Sequence, residues 1–128
     1  MGAIGIRVLV VDDTDHVRGM LVDMLDLDGF EVVGQAASGR EAIDIAIEVS
    51  PEVIIMDYKM PGMDGLAAAR TIRERIPAQA IIIYTAYLDP DLEAEARDIG
   101  VAMTVGKVEG LNQLERHIME LCRDLYPG

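Results

Sequence analysis

Several residues that could carry chemistry stand directly after apolar runs of the chain. In chain order they are Asp12, Asp13, Asp57, Thr85, Ala86 and Lys107. Neighbouring carboxylates repel one another and have raised pKa values unless a cation lies among them. A small set of hard oxygen ligands suits Mg²⁺, which commonly bridges carboxylates and phosphate. A hydroxyl and an ammonium group suit phosphate oxygens. Together these residues would form a site for a phosphoryl group and a metal ion.

Each of these residues also has a simpler interpretation when it is taken singly. Asp12 or Asp13 could cap the helix that follows, and Asp57 could open a turn. Thr85 is a common type of strand residue, and a single lysine such as Lys107 is usually a solvated surface charge. The chemical interpretation therefore depends on a fold that brings these side chains to one place.

The apolar pattern predicts five strands that alternate with five amphipathic helices. The predicted strands are Arg7–Val11, Phe30–Gln35, Glu52–Met56, Ala80–Tyr84 and Val101–Val105. The predicted helices are Thr14–Leu27, a segment from Ser38 to about Val49, an Ala-rich one that follows the loop Asp57–Gly65 and runs to about Ile76, one from Pro90 to about Ile99, and a last one with Leu111, Leu114, Ile118, Leu121 and Leu125 on its apolar face. The Ser38–Glu41 pair reads as a capping box, and Asp89-Pro90 reads as an N-cap followed by proline.

Strands that are apolar on both faces and are separated by helices predict a parallel sheet covered on both sides. Right-handed crossovers then give a doubly wound α/β fold. In such a fold, ligands bind outside the carboxyl ends of the strands. The predicted fold would therefore bring the six residues to one edge of one sheet.

Composition narrows the class of protein further. The 128 residues, 51% of them apolar, fit one domain that spans residues 1–128. A net charge of −12 disfavours direct binding to nucleic acid or to anionic membranes, although it could equally serve solubility alone. One cysteine, Cys122, gives no disulfide framework and is expected at a core or boundary position. The chain shows no signal peptide, no myristoylation pattern (Ile6 stands where Ser or Thr is required) and no apolar run of about 20 residues, which predicts a cytoplasmic protein.

Two other kinds of site are disfavoured. The sequence contains no Gly-x-x-x-x-Gly-Lys-Ser/Thr motif of the nucleotide-binding type. Gly2 and Gly5 precede the first strand, whereas the glycines of a phosphate-binding loop would follow it. His16 and His117 lie in predicted helices, where we expect solvated and not catalytic side chains.

Two motifs carry a resemblance to a known family. The first strand ends in VVDD at positions 10–13, and the third strand leads into DYKMPGMDG at positions 57–65. With Thr85-Ala86 and Lys107 in the same order and spacing, the chain resembles a response regulator receiver domain of the CheY-like superfamily over its whole length. The resemblance implies a flavodoxin-like fold with strand order 2-1-3-4-5. It also implies a signalling switch that is not an enzyme with a substrate of its own.

The resemblance implies a role for each residue. Asp57 would accept a phosphoryl group from a sensor histidine kinase, a histidine phosphotransfer protein or a small phosphodonor, and would form an aspartyl phosphate. Asp13, Asp57 and the backbone carbonyl of Lys59 would ligate Mg²⁺, with Asp12 acting directly or through water. Thr85 and Lys107 would bind the phosphoryl oxygens, and the small Ala86 would leave room for them. The signal would pass through the surface to an unidentified output protein.

The sequence departs from the family pattern near its last strand. Val108 stands where proline usually follows the lysine, and Thr104 stands where Tyr or Phe is usual. That aromatic residue normally changes rotamer with the threonine, so the usual output mechanism is in question. Tyr84 and Tyr87 flank Thr85 and could take over this movement, although Tyr84 could also be plain core. Lys59 and Tyr87 are further expected to border the path of hydrolytic water.

Three alternatives to a stand-alone switch remain open at this stage. The chain could be an interaction module that works without phosphorylation, or the N-terminal receiver of a longer DNA-binding regulator. It could also be a Mg²⁺-dependent phosphohydrolase on a related scaffold. The phosphohydrolase lacks support because Lys59 stands two residues after Asp57, where a general acid would be expected.

Overall fold

The computed structural model describes residues 5–86, 88–107 and 110–125, apart from the side chains of residues 110–112, 122, 124 and 125. Strands and helices alternate along this part of the chain. The strands are β1 (Arg7–Val11), β2 (Glu31–Ala36), β3 (Val53–Asp57), β4 (Ala80–Thr85) and β5 (Met103–Gly106). The helices are α1 (Asp15–Leu27), α2 (Gly39–Val49), α3 (Gly65–Arg75), α4 (Pro90–Ile99) and α5 (Gly110–Leu125).

The strands form one sheet in the order β2-β1-β3-β4-β5, and neighbouring strands run parallel. Side chains alternate between its two faces, as in β4, where Ile81 and Ile83 pack under α2, α3 and α4. Ile82 and Tyr84 pack on the other face, against α1 and α5. The predicted doubly wound α/β fold with helices on both faces is therefore confirmed.

Several predicted boundaries were wrong by one or two residues. The third and fourth strands extend one residue further than predicted, because Asp57 pairs with Tyr84 and Thr85 pairs with Gly106 across the sheet. The last strand begins at Met103 and not at Val101, since the amide of Val101 donates to the carbonyl of Ala96 and closes α4.

Two boundaries near the amino terminus also differ. The second strand begins at Glu31, because the amide of Phe30 still donates to the carbonyl of Leu25 in α1. Thr14 lies outside α1 as its extended N-cap residue, so the helix begins at Asp15.

Both predicted N-caps are present, although the Glu41 carboxylate of the predicted capping box accepts the amide of Ala37, at 3.3 Å, and not that of Ser38. The Ser38 hydroxyl accepts the amide of Glu41 at 3.1 Å, and the Asp89 carboxylate accepts the amide of Leu92 at 2.9 Å with Pro90 in the first turn. On α5, Leu114, Ile118 and Leu121 are buried, whereas the side chains of Leu111, Cys122 and Leu125 lie outside the described residues. Among the helices described, none is long and apolar enough to cross a membrane.

Candidate functional site

The carboxyl ends of β1 and β3 bring three carboxylates together. Asp12 directly follows β1, Asp57 is the last residue of β3, and these strands are neighbours in the sheet. Oxygens of Asp12, Asp13 and Asp57 all lie within 4.8 Å of one another. Asp12 and Asp57 are buried and Asp13 is exposed, so this acidic cluster opens to solvent on the Asp13 side.

Asp12 is held on both of its carboxylate oxygens. The backbone amide of Thr14 donates to Oδ1 at 2.8 Å, and the hydroxyl of Tyr84 donates to Oδ2 at 2.5 Å. The backbone carbonyl of Asp12 also accepts a hydrogen bond from the Arg18 guanidinium at 2.6 Å. The carboxylate thus orders the turn before α1 and faces the cluster as well, but it does not cap the helix, because Thr14 is the N-cap residue and, among the described residues, no side chain caps α1.

Asp57 is only 4% exposed, and its carboxylate has two polar partners in the site. Lys107 Nζ lies 3.2 Å from Oδ1, and the backbone amide of Lys59 donates to the same carboxylate. Burial nevertheless raises the pKa of Asp57, and the charge of Asp12 adds to this rise while Lys107 opposes it. Lys107 therefore does not fully offset the burial of the Asp57 carboxylate, and the three carboxylates lie close enough together to hold a cation.

Lys107 is an exposed residue whose ammonium group reaches into the site. Its side chain is about one-third exposed (34%), and its ammonium group lies 4.0 Å from Oδ2 of Asp12 in addition to its contact with Asp57. It also lies over the ring of Tyr84, 4.9 Å from the ring centroid. The lysine reaches these groups because β5 ends beside β4 at the same edge of the sheet.

The remaining predicted site residues differ in how far they are buried. Thr85 is buried at the end of β4, next to the end of β3. Ala86 and Lys59 are exposed, and the side chain of Tyr87 lies outside the described residues. Neither histidine belongs to the acidic cluster, since His16 is exposed on α1 and His117 lies 4.0 Å from Glu120 on α5.

The loop between β3 and α3 packs closely against the backbone of Asp57. The amide of Gly65 donates to the carbonyl of Tyr58 at 2.6 Å, and Asp64 caps α3 through the amide of Ala67 at 2.8 Å. A Cβ at Gly65 would collide with the backbone carbonyl oxygen of Asp57, so only glycine fits there. The Asp-Gly pair that ends the nine-residue motif therefore fixes the backbone around Asp57.

Two residues contact the acidic cluster in ways that the sequence did not predict. Arg18 binds the Asp12 carbonyl and the Asp15 carboxylate, each at 2.6 Å, and its spacing from the aspartate pair was the available signal. Tyr84 was expected either as plain core or as a moving group beside Thr85. The one indication in the sequence is that a tyrosine, with a polar hydroxyl group, follows the aliphatic run of β4.

The comparisons with known proteins agree with this geometry. The response regulator receiver domain family matches residues 8–119. The response regulator GacA of Pseudomonas protegens is 41% identical over 114 residues, which make up 88% of this chain and 54% of that protein. A protein-glutamate methylesterase/protein-glutamine glutaminase of Methanococcoides burtonii is 37% identical over 94% of this chain and 36% of its own length. The chain thus spans about half the length, or less, of these curated relatives.

A solved structure gives the same result at the level of the fold. The response regulator domain of Thermotoga maritima CheB superposes with a TM-score of 0.83 and 33% sequence identity, over 94% of this chain and 95% of that one. The strand order 2-1-3-4-5 that the resemblance implied is the one observed. The chain belongs to the response regulator receiver domain family, whose members act in phosphorylation-dependent two-component signalling.

Proposed function

We propose that Asp57 is the phosphoacceptor of this receiver domain. A carboxylate oxygen of Asp57 attacks the phosphorus of the donor, the bond from phosphorus to the donor breaks, and the donor leaves with the bonding electron pair. The product is an aspartyl phosphate. Water later attacks the phosphorus, which releases inorganic phosphate and restores the carboxylate. The observation that carries this proposal is the contact of buried Asp57 with Lys107 inside a cluster of three carboxylates.

The acidic cluster fits Mg²⁺, the ion that receiver domains generally bind at such a cluster. Its donors are hard carboxylate oxygens within 4.8 Å of one another, and the cluster is open at Asp13. Asp13, Asp57 and the backbone carbonyl of Lys59 would hold the ion, with Asp12 contributing directly or through water. When bound, the ion supplies positive charge that offsets the repulsion between carboxylates and phosphoryl oxygens.

The residues on β4 and β5 would complete the phosphoryl site. Lys107 would give up its contact with the free carboxylate and bind a phosphoryl oxygen, to which its ammonium donates equally well. Thr85 would donate its hydroxyl to a second oxygen, and exposed Ala86 would leave space beside it. Preformed donors of this kind stabilise the charge that develops during phosphoryl transfer.

Receiver domains work with histidine kinases or phosphotransfer proteins and with output domains. For this chain we infer a phosphohistidine donor and an output protein that reads the surface of the phosphorylated form. Acetyl phosphate can replace the protein donor in a test, with intact mass as the measurement. We expect one phosphoryl group per chain with Mg²⁺ and none in EDTA. Steady turnover of an added phosphomonoester would instead indicate a phosphohydrolase.

Lys107→Ala is expected to slow labelling by acetyl phosphate about tenfold to a hundredfold, which is the range for loss of one charge-assisted hydrogen bond. Mg²⁺ affinity should change little, because an ammonium group repels the cation and does not ligate it. Labelling time courses and Mg²⁺ titrations would measure the two effects separately.

Arg97→Ala, which removes one cation from an exposed position of α4, is the matched control for net charge. Its labelling rate and Mg²⁺ affinity should both equal those of the wild type. A Lys107→Ala protein that labels normally but binds Mg²⁺ much more weakly would contradict the role of Lys107 as a phosphate ligand.

The lifetime of the aspartyl phosphate should depend on Lys59 and Tyr87. Hydrolysis needs a water molecule in line with the bond to Asp57, and both residues follow site residues by two positions. A tyrosine ring can exclude water, and an ammonium group can cover the phosphoryl oxygens. Lys59→Ala, Tyr87→Ala and the double variant should therefore lose phosphate faster than the wild type. Equal decay rates in all four proteins would rule out a gating role for either side chain.

A further inference from the structure

We propose that Tyr84 is a positioning residue of the acidic site: its hydroxyl holds Asp12 for metal binding, and its ring holds Lys107 for phosphoryl transfer. The inference rests on the proposed function, because it concerns the metal and phosphoryl groups that this site would take. No role of this kind follows from the motifs of the sequence.

Tyr84 reaches the site from the core. It lies on β4, is 2% exposed and packs against the face of the sheet that α1 and α5 cover. From this packed face its hydroxyl reaches Asp12, and its ring lies beside the ammonium group of Lys107.

The hydroxyl group contacts the Asp12 carboxylate directly. It donates to Oδ2 at 2.5 Å, while the amide of Thr14 donates to Oδ1. Partners that orient a ligand in this way typically contribute about 10- to 100-fold to metal affinity. We therefore expect the Asp12 carboxylate to have its metal-binding orientation already in the metal-free protein.

The ring face contacts Lys107. The ammonium group lies 4.9 Å from the ring centroid and 3.2 Å from Oδ1 of Asp57. A cation over an aromatic face is attracted by the ring quadrupole. The ring therefore keeps the ammonium group beside Asp57, where it can pass from the carboxylate to an incoming phosphoryl group.

This role differs from that of the aromatic residue that Thr104 replaces. Alternation along β4 and β5 directs Tyr84 and Val105 to one face of the sheet and Thr85 and Thr104 to the other. Tyr84 thus shares neither the face nor the neighbours of the missing aromatic residue. The structure gives it contacts to Asp12 and Lys107 instead of a place beside Thr85.

Two substitutions separate the two contacts. Tyr84→Phe removes the hydroxyl and keeps the ring, and Tyr84→Leu removes both. Tyr58→Phe is the matched control, since it removes a hydroxyl from a tyrosine that packs on the opposite face of the sheet. For each protein, calorimetry would give the dissociation constant for Mg²⁺ without any phosphodonor. Labelling by acetyl phosphate at saturating Mg²⁺ would give the transfer rate, and thermal unfolding would verify the fold.

Tyr84→Phe should raise the Mg²⁺ dissociation constant about tenfold and leave the transfer rate at saturating Mg²⁺ unchanged. Tyr84→Leu should show the same loss of affinity and should also slow transfer about three- to tenfold. Tyr58→Phe should match the wild type in both. A Tyr84→Phe protein that binds Mg²⁺ as the wild type does would overturn the inference. A wild type that neither binds Mg²⁺ nor takes up phosphate would instead overturn the proposed function.

Discussion

Asp57→Asn is expected to abolish phosphoryl incorporation and to raise the melting temperature of the metal-free protein. The amide of asparagine cannot act as the nucleophile, so labelling should disappear entirely. The stability effect follows from the raised pKa of Asp57, which burial causes. Because the folded-state pKa lies above the unfolded value, the folded protein binds more protons between the two values, and stability falls as pH rises through that window.

At neutral pH the Asp57 carboxylate is therefore a destabilising charge, which the asparagine removes at nearly constant volume. The melting temperatures of the two proteins should converge below the unfolded-state pKa, where both side chains are neutral. Asp23→Asn, at an exposed position of α1, is the matched control and should change neither labelling nor stability. Undiminished labelling of Asp57→Asn would show that another residue accepts the phosphoryl group.

Asp13→Ala is expected to remove most of the stabilisation that Mg²⁺ gives to the fold. At a Mg²⁺ concentration about 100 times the dissociation constant, binding stabilises a native state by about 2.7 kcal/mol. For a domain of this size that corresponds to a rise in melting temperature of roughly 10 °C. If the substitution raises the dissociation constant about a hundredfold, the same concentration contributes only about 0.4 kcal/mol.

Melting curves with Mg²⁺ and with EDTA would measure this effect for the wild type and for Asp13→Ala. Asp23→Ala removes an exposed carboxylate outside the acidic cluster and should keep the full shift. The metal-free melting temperature of Asp13→Ala should not fall, because one of three mutually repelling charges is gone. An equal Mg²⁺ shift in Asp13→Ala and the wild type would exclude Asp13 as a ligand.

The architecture could be predicted because each element carries its own local signal. Runs such as AIIIY at positions 80–84 are apolar throughout, as strands covered on both faces must be, and glycine or proline marks most helix ends. The proximity of Asp12, Asp57 and Lys107 could be predicted from one general rule. The carboxyl ends of parallel strands lie along the same edge of a sheet, and ligands bind there. The strand order came from the family resemblance and not from the pattern of residues.

Strand ends were less predictable, because they are decided by pairing partners far away in the sequence. Asp57 is polar and reads as the first residue of a loop, yet it pairs with Tyr84 as the last residue of β3. The amide of Tyr58 then donates to the carbonyl of Tyr84 at 2.9 Å and carries the pairing one step further. Such contacts have no signature within the segment itself.

The role of Tyr84 could not be predicted for a similar reason. Its hydroxyl meets a carboxylate 72 positions earlier in the chain, across the face of the sheet that α1 covers. A tyrosine in an aliphatic strand is usually core, and it is the folding of the sheet that brings this hydroxyl to the acidic cluster. Lys107 likewise contacts Asp12 and Tyr84 in addition to the carboxylate that the motif pairs with it.

Chemical trapping of the phosphorylated residue tests the central claim most directly. Borohydride reduces an aspartyl phosphate to homoserine, so the masses of two peptides, one that spans β1 with the following turn and one that spans β3 with the following loop, would report the modified position. After incubation with acetyl phosphate and Mg²⁺, we expect homoserine at position 57 of the wild type, and intact aspartate when EDTA replaces Mg²⁺. Unmodified Asp57 under both conditions, or homoserine at Asp12 or Asp13 instead, would contradict the account.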